Sequence, residues 1–251
     1  MAKKQIIFLL LSVISFSTIL NAQVDYKVIY KVKHDWVKKM KHVDYMSDAA
    51  KAKNEYMWGA RAQYESEAVL YFNENCSRYE EVSDQSEWAS QGYSYREDEY
   101  YIFRDLKQNR SYDVMRVLNK LYLVDDTLAV RNWKILNDIR EIAGHICMSA
   151  RFDDELKGNT VIAWFALDLP YEIGPERYGG LPGMILEINI NDGAKVLTAD
   201  TIVELEDYSI EKPIHKKRVK IITEAEFQAV EEKHINQKKK AEQPYFYGLR
   251  Y

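Results

Sequence analysis

The sequence predicts a mainly β protein: a curled antiparallel sheet, barrel or half-barrel, with one helix in its N-terminal half and one near its C-terminus. Three observations predict this. Apolar and polar residues alternate through most of the chain, the two-residue period of a half-buried strand. Short turns built on Gly, Asn and Asp separate these segments. Helical spacing occurs in only two places, and so long an antiparallel sheet curls on itself.

The elements follow in chain order. The first 22 residues read as a secretory signal: Lys3 and Lys4, an apolar run from Ile6 to Leu11 continued by Val13, Ile14 and Phe16, and a small-residue exit at Leu20-Asn21-Ala22. The run is shorter than the ~20 apolar residues of a membrane span, so cleavage after Ala22 leaves no transmembrane anchor. Val24, Tyr26, Val28, Tyr30 and Val32 share one face of a first strand. Asp44 to Ala60 has the spacing of an amphipathic helix packed on the sheet. A second strand runs through Ala68, Leu70 and Phe72, and Ser83 to Gly92 is polar, a loop or a short helix. Further strands are expected at Glu99–Arg104, Arg110–Val117, Lys120–Val124 and Asp138–Ile142. Ile146–Phe152 and Thr160–Leu167 form a hairpin through Lys157-Gly158-Asn159. Ile185–Ile190 and Lys195–Glu204 form another through Asn191-Asp192-Gly193. A capping box, Thr223 to Glu226, opens a final helix that runs to about Lys240. Residues 23–251 therefore read as one β-rich domain with a helical tail over 223–251.

Charge and cysteine usage exclude some functions. With Lys3 and Lys4 removed, 33 basic residues face 39 acidic ones, an acidic balance that argues against a nucleic-acid binder. The basic cluster His215 to Arg218 reads as decoration of a strand edge. Cys76 and Cys147 would sit in an oxidising compartment. A bridge between them, worth roughly 4 kcal/mol on a chain-entropy estimate, is one reading; two free buried thiols is the other.

The most informative stretch is Tyr178 to Glu187, YGGLPGMILE. Gly179, Gly180 and Gly183 flank Leu181-Pro182, and Met184-Ile185 runs directly into a strand. Glycines relax the backbone while Pro182 fixes one angle, so the stretch reads as a packed corner, with Leu181 and Met184 plugging the barrel end; a ligand portal is the alternative. The G-x-G-x-x-G spacing and a Gly-Lys-Ser/Thr ending are both absent. Gly180-Leu181-Pro182-Gly183-Met184-Ile185 resembles the signature of the GLPGLI family of Bacteroidota envelope proteins, with Met184 in the usual place of Leu. Trp133-Lys134-Ile135, Ile142 to Cys147 (with His145 at an aromatic position), Ala163-Trp164-Phe165, Gly174-Pro175, Leu70-Tyr71-Phe72 and Ser77-Arg78-Tyr79 extend the resemblance. It implies an exported, β-rich protein of unassigned function.

Nothing nominates a reaction. The histidines show no H-E-x-x-H and no clustered metal spacing. His145 and Cys147 share a strand face, where packing is the simpler role. The acid pairs Asp125-Asp126, Asp153-Asp154 and Glu231-Glu232 sit at turns or on the tail helix, and no G-x-S-x-G elbow is present. Thr127 and Thr201 each follow Asp and precede an aliphatic residue, resembling an O-glycosylation acceptor of the same bacterial group. Tyr245-Phe246-Tyr247 docks onto the barrel in the simpler reading and recruits a partner in the other. The expectation is a non-enzymatic periplasmic or extracellular protein without cofactor or metal, holding an apolar ligand or peptide in its curved sheet. The alternative is an assembly partner of an outer-membrane complex; a hydrolase is a remote third.

Overall fold

The computed structural model describes residues 24–58, 63–82, 100–206, 208–212 and 219–251. The expected signal segment, the polar stretch at 83–92 and the basic cluster at 215–218 lie outside them. The fold is mostly β, a 12-stranded sheet that is curled but not closed. Its strands are β1 Asp25–Asp35, β2 Gln63–Phe72, β3 Cys76–Glu81, β4 Tyr101–Asp105, β5 Arg110–Val117, β6 Lys120–Thr127, β7 Lys134–Ile142, β8 His145–Asp154, β9 Asn159–Ala166, β10 Met184–Ile190, β11 Lys195–Leu205 and β12 Lys220–Ile222. Among the described residues three helices accompany them: α1 Trp36–Lys41, α2 Asp48–Trp58 and α3 Glu224–Lys240. The strand order is β12-β6-β5-β4-β3-β2-β1-β11-β10-β9-β8-β7.

The alternation that predicted β1 is the alternation that buries it. Val28, Tyr30 and Val32 are fully buried, and register pairing carries the same inward face through Leu70, Tyr79 and Ile102 on one side. On the other side it continues through Leu197, Ile188 and Ala163. The Asn191-Asp192-Gly193 turn has positive φ at all three residues, which Asn, Asp and Gly tolerate best. The capping box forms as expected, Thr223 accepting from the Glu226 amide while Glu226 accepts from the Thr223 amide.

One expectation is corrected, three elements were not anticipated, and of the two cysteine readings the structure has the free thiols. The helix expected over Asp44–Ala60 starts only at Asp48, where the Ala50 amide donates to Ser47 Oγ. It does not pack on the sheet: Tyr56 is 92% and Met57 59% exposed. Its neighbours are instead α1, where Lys51 donates to Lys41 O, and the C-terminal tail, where the Tyr247 hydroxyl donates to Asn54. Strands β3 and β12 and the short helix α1 had no alternation long enough to announce them. Cys76 and Cys147 are free thiols, not a disulfide. They lie on β3 and β8, six strand steps apart in the sheet order, about 29 Å along the sheet at ~4.8 Å per step; a bridge needs Cα atoms within about 7 Å.

Candidate functional site

Strand direction sorts the chain into two ends. The ends of β1, β3, β5, β8 and β10 and the starts of β2, β4, β6, β9 and β11 lie together at one mouth of the curl. The C-terminal tail after α3 crosses this mouth. The Leu118 amide donates to Gly248 O, the Asn159 amide group donates to the Tyr245 hydroxyl, and Asn191 Nδ2 donates to the Tyr251 hydroxyl. Tyr245, Phe246, Leu249 and Tyr251 are buried, so the aromatic tail docks, as its composition suggested.

The glycine-proline loop enters from the opposite end, between β9 and β10. Ile173 and Gly179 pair as an antiparallel bridge, and the Ile185 amide donates to Ile173 O at 2.9 Å. A Cβ on Gly183 would stand 2.1 Å from the Ala166 carbonyl oxygen, so only glycine fits there. Gly180 has φ +82, the left-handed region that glycine enters without strain. Leu181, Met184 and Ile185 are buried, the Tyr30 hydroxyl donates to Ile185 O at 2.7 Å, and Trp133 Nε1 donates to Gly179 O at 3.0 Å. Residues 179–185 thus form a tightly packed corner. What the corner delivers is Glu176, Arg177 and Tyr178, carried into the interior.

There the loop and the tail meet. Glu176 is buried and pairs with Lys195, itself 1% exposed, and with Arg250 through contacts of 2.8 and 3.0 Å. Arg250 also pairs with Glu81 and lies 3.7 Å over the Tyr100 ring. Burial alone would raise the Glu176 carboxyl, but Lys195 and Arg250 outweigh it and hold it down to about 2. Burial and the Arg250 charge push the Lys195 ammonium below its ordinary value, against the pull of Glu176. Lys39 joins from α1, 2% exposed, sharing a 2.7 Å hydrogen bond with His34 Nδ1 and lying 4.3 Å from the Trp36 ring centre. Burial, then Lys195 and Arg250, push its ammonium well below the usual lysine range. Tyr79 is buried beside this group, and its hydroxyl has no hydrogen-bond partner among the described residues.

Two cavities flank the tail. One, of about 520 Å³, is lined by Lys39, Lys195, Arg250 and Glu81 together with His34, Trp36, Tyr64, Phe246 and Tyr251. The other, of about 530 Å³, lies between α3, residues 129–132 and the end of β8, with Tyr178 and Arg177 on its wall. Arg177 bridges Asp113 at 2.7 Å and Glu224 at the start of α3, so the same loop braces both cavities.

The other candidates lie apart from this charge cluster. His145 turns to Asp168 at 2.7 Å while Cys147 is buried, its thiol pushed up to about 11 by burial. Asp126 accepts from the Glu224 amide and Asp125 pairs with Arg110, so that acid pair does not converge on a cleft. Thr127 and Thr201 are exposed. Among the described residues no group of three or more His, Cys, Asp and Glu side chains is placed to hold a metal ion. The buried charge cluster escaped sequence reading, although one signal existed: Lys195 falls in phase with the inward-facing Leu197 and Ala199.

Residues 153–187, from the end of β8 through the corner into β10, match the family model Porph_ging, described as a protein of unknown function. Among curated proteins, no sequence matches. Two solved structures of PNGF-II, in C2 and P21 space groups, share the fold at TM-scores of 0.52 and 0.53 with 13% identity. The similarity covers 82% of this chain but 32% and 33% of those chains, so it spans about a third of their length. At that identity the likeness concerns the fold alone.

Proposed function

We propose that this is an exported envelope protein of the GLPGLI type, cleaved after Ala22, that binds a small ligand and carries out no covalent chemistry. The supporting observation is the pair of cavities beside the C-terminal tail, each within the size range of small-molecule sites. The rest of the inward face is packed by its own side chains, from Val28 and Tyr30 to Ile188 and Phe165. The cavity walls combine aromatic rings with paired charges, which suits an amphiphilic ligand or peptide side chain better than a wholly apolar one. Lys195, Arg250, Glu176 and Glu81 are engaged with one another, and Lys39 with His34; the reading gives these groups a binding role rather than a nucleophile's. No helix among the described residues is long and apolar enough to cross a membrane.

A second reading, an assembly partner, draws on the β7 end of the sheet. β7 ends the strand order, and Ile139 (65% exposed) and Ile146 on β8 (61%) share its outer face. An exposed apolar edge of this kind accepts an added strand. The native mass spectrum of mature Gln23–Tyr251 purified from its host separates the two. Extra mass lost on denaturation supports the ligand-binding reading. A bare monomer that recruits a defined envelope protein through the β7 edge would transfer the function to assembly.

A further inference from the structure

We infer that the cavity walled by Lys39, Lys195 and Arg250 is a binding site for an organic anion, a carboxylate or phosphate ester carried on a flat apolar body. The inference rests on the ligand-binding reading above and names its ligand class. Charge is the first argument. The whole chain has a formal net charge of -4, yet this cavity gathers Lys39, Lys195 and Arg250 on its wall, with Glu81 as their facing carboxylate. Arg116 lines the same cavity, so even with Glu176, which stands behind Lys195 and Arg250, the cations outnumber the carboxylates.

Part of the excess sits on Lys39. Lys195 has Glu176, and Arg250 has both Glu176 and Glu81. Among the described residues no carboxylate lies within ion-pairing distance of Lys39, which has only His34 Nδ1 and the faces of Trp36 and Tyr251. A buried cation is ordinarily paired, and here the missing partner is an anion. Burial and the neighbouring Lys195 and Arg250 disfavour the charged form of Lys39, and an anion in the cavity would reverse that.

The rings define the remainder of the ligand. Trp36, Tyr64, Phe246 and Tyr251 line the same space, and such walls take a planar or apolar group. A bare inorganic anion would leave them unfilled. The site therefore has a cationic end at Lys39 and an aromatic slot.

The test uses the full mature chain and four probes of one shape: 1-naphthoate, 1-naphthyl phosphate, neutral 1-naphthol and cationic 1-naphthylmethylamine. Calorimetric titration is expected to show both anions binding, with naphthol weaker by roughly tenfold or more, as expected for losing one charge-assisted hydrogen bond. The ratio between naphthoate and naphthyl phosphate tells a carboxylate site from a phosphate site. Lys39→Met should lose the same factor for the anions alone. Because Lys39 sits among repelling cations, this variant should unfold at a temperature no lower than the wild type, whereas a merely structural lysine would lower it. Equal binding of naphthol and naphthoate by the wild type overturns the inference without any variant, as does undiminished naphthoate binding by Lys39→Met. If none of the anions binds but the host-purified protein carries a neutral ligand, the anion site falls and the ligand-binding reading stands. A bare host protein that binds no probe removes both.

Discussion

Replacing Glu176 by Gln removes one negative charge from the point where loop and tail meet while keeping the shape of the side chain. In the wild type Glu176 is paired with Lys195 and Arg250 and is buried. Breaking a buried pair by removing one partner costs about 3–5 kcal/mol, because the remaining charge is left uncompensated. Here two cations lose a partner, and only Arg250 retains another, Glu81. For a chain of this size each kcal/mol moves Tm by about 2–4 °C, so Glu176→Gln should melt roughly 6–20 °C lower. Acid titration adds an independent mark. The folded-state carboxyl is held at about 2, below its ordinary 4.5. A depressed carboxyl stabilises the fold above its unfolded value and loses that contribution as pH falls through the folded one. Between pH 4.5 and about 2 the wild type therefore loses about 3 kcal/mol from this group alone, and the variant does not. Circular-dichroism melts of both proteins from neutral pH into this acid range measure both effects. Unchanged Tm at neutral pH, together with parallel acid losses, would refute the buried pair as a source of stability.

Three other outcomes follow from the same geometry. Gly183→Ala forces a methyl to within 2.1 Å of the Ala166 carbonyl oxygen and must displace backbone; it should cost about 3 kcal/mol or more. Gly158→Ala, with φ +68 and nothing nearby, should cost only about 1 kcal/mol, and urea midpoints of the two compare them. Tyr30→Phe removes the buried 2.7 Å bond to Ile185 O, a loss of about 1 kcal/mol or more read in the same assay. Native protein should react with a thiol reagent slowly at Cys147, which is buried with its thiol pushed up to about 11; after denaturation both cysteines should titrate, and a chain two mass units light with no free thiol would show a bridge instead.

The strands were legible because one face of each is buried: Tyr30 and Val32, or Ile188 and Ile190, announce their own burial by alternation. The capping box at Thr223 and the Asp-Gly turn were legible because their chemistry is local. The two hairpins read from their turns pair as expected, but the pairings between segments distant in sequence were not legible. β12 pairs with β6 across about a hundred residues, and Lys220–Ile222 is too short to carry a period. The site was hidden for a different reason. Its side chains are Lys, Arg and Glu, which composition assigns to the surface, and each comes from a separate segment: α1, β3, the corner loop, β11 and the tail. Only the phase of Lys195 with Leu197 hinted that one of them points inward.

That phase connects the corner to the cavities. The glycines and Pro182 contribute no functional group; they let the backbone pass within contact of Ala166, a packing that fixes where the residues just before them stand. Glu176 then holds Lys195 and Arg250 on the wall of one cavity, while Arg177 ties Asp113 to Glu224 at the start of α3 on the wall of the other. Helix α3 leads in turn to the tail that carries Arg250 and Tyr251. A shift of the corner would therefore reach both cavities, one through the ion pairs of Glu176 and the other through the Arg177–Glu224 pair at the start of α3. The stretch that resembles a family signature thus positions charged groups on both cavity walls, and in the proposed reading most of the ligand contacts fall to residues outside it.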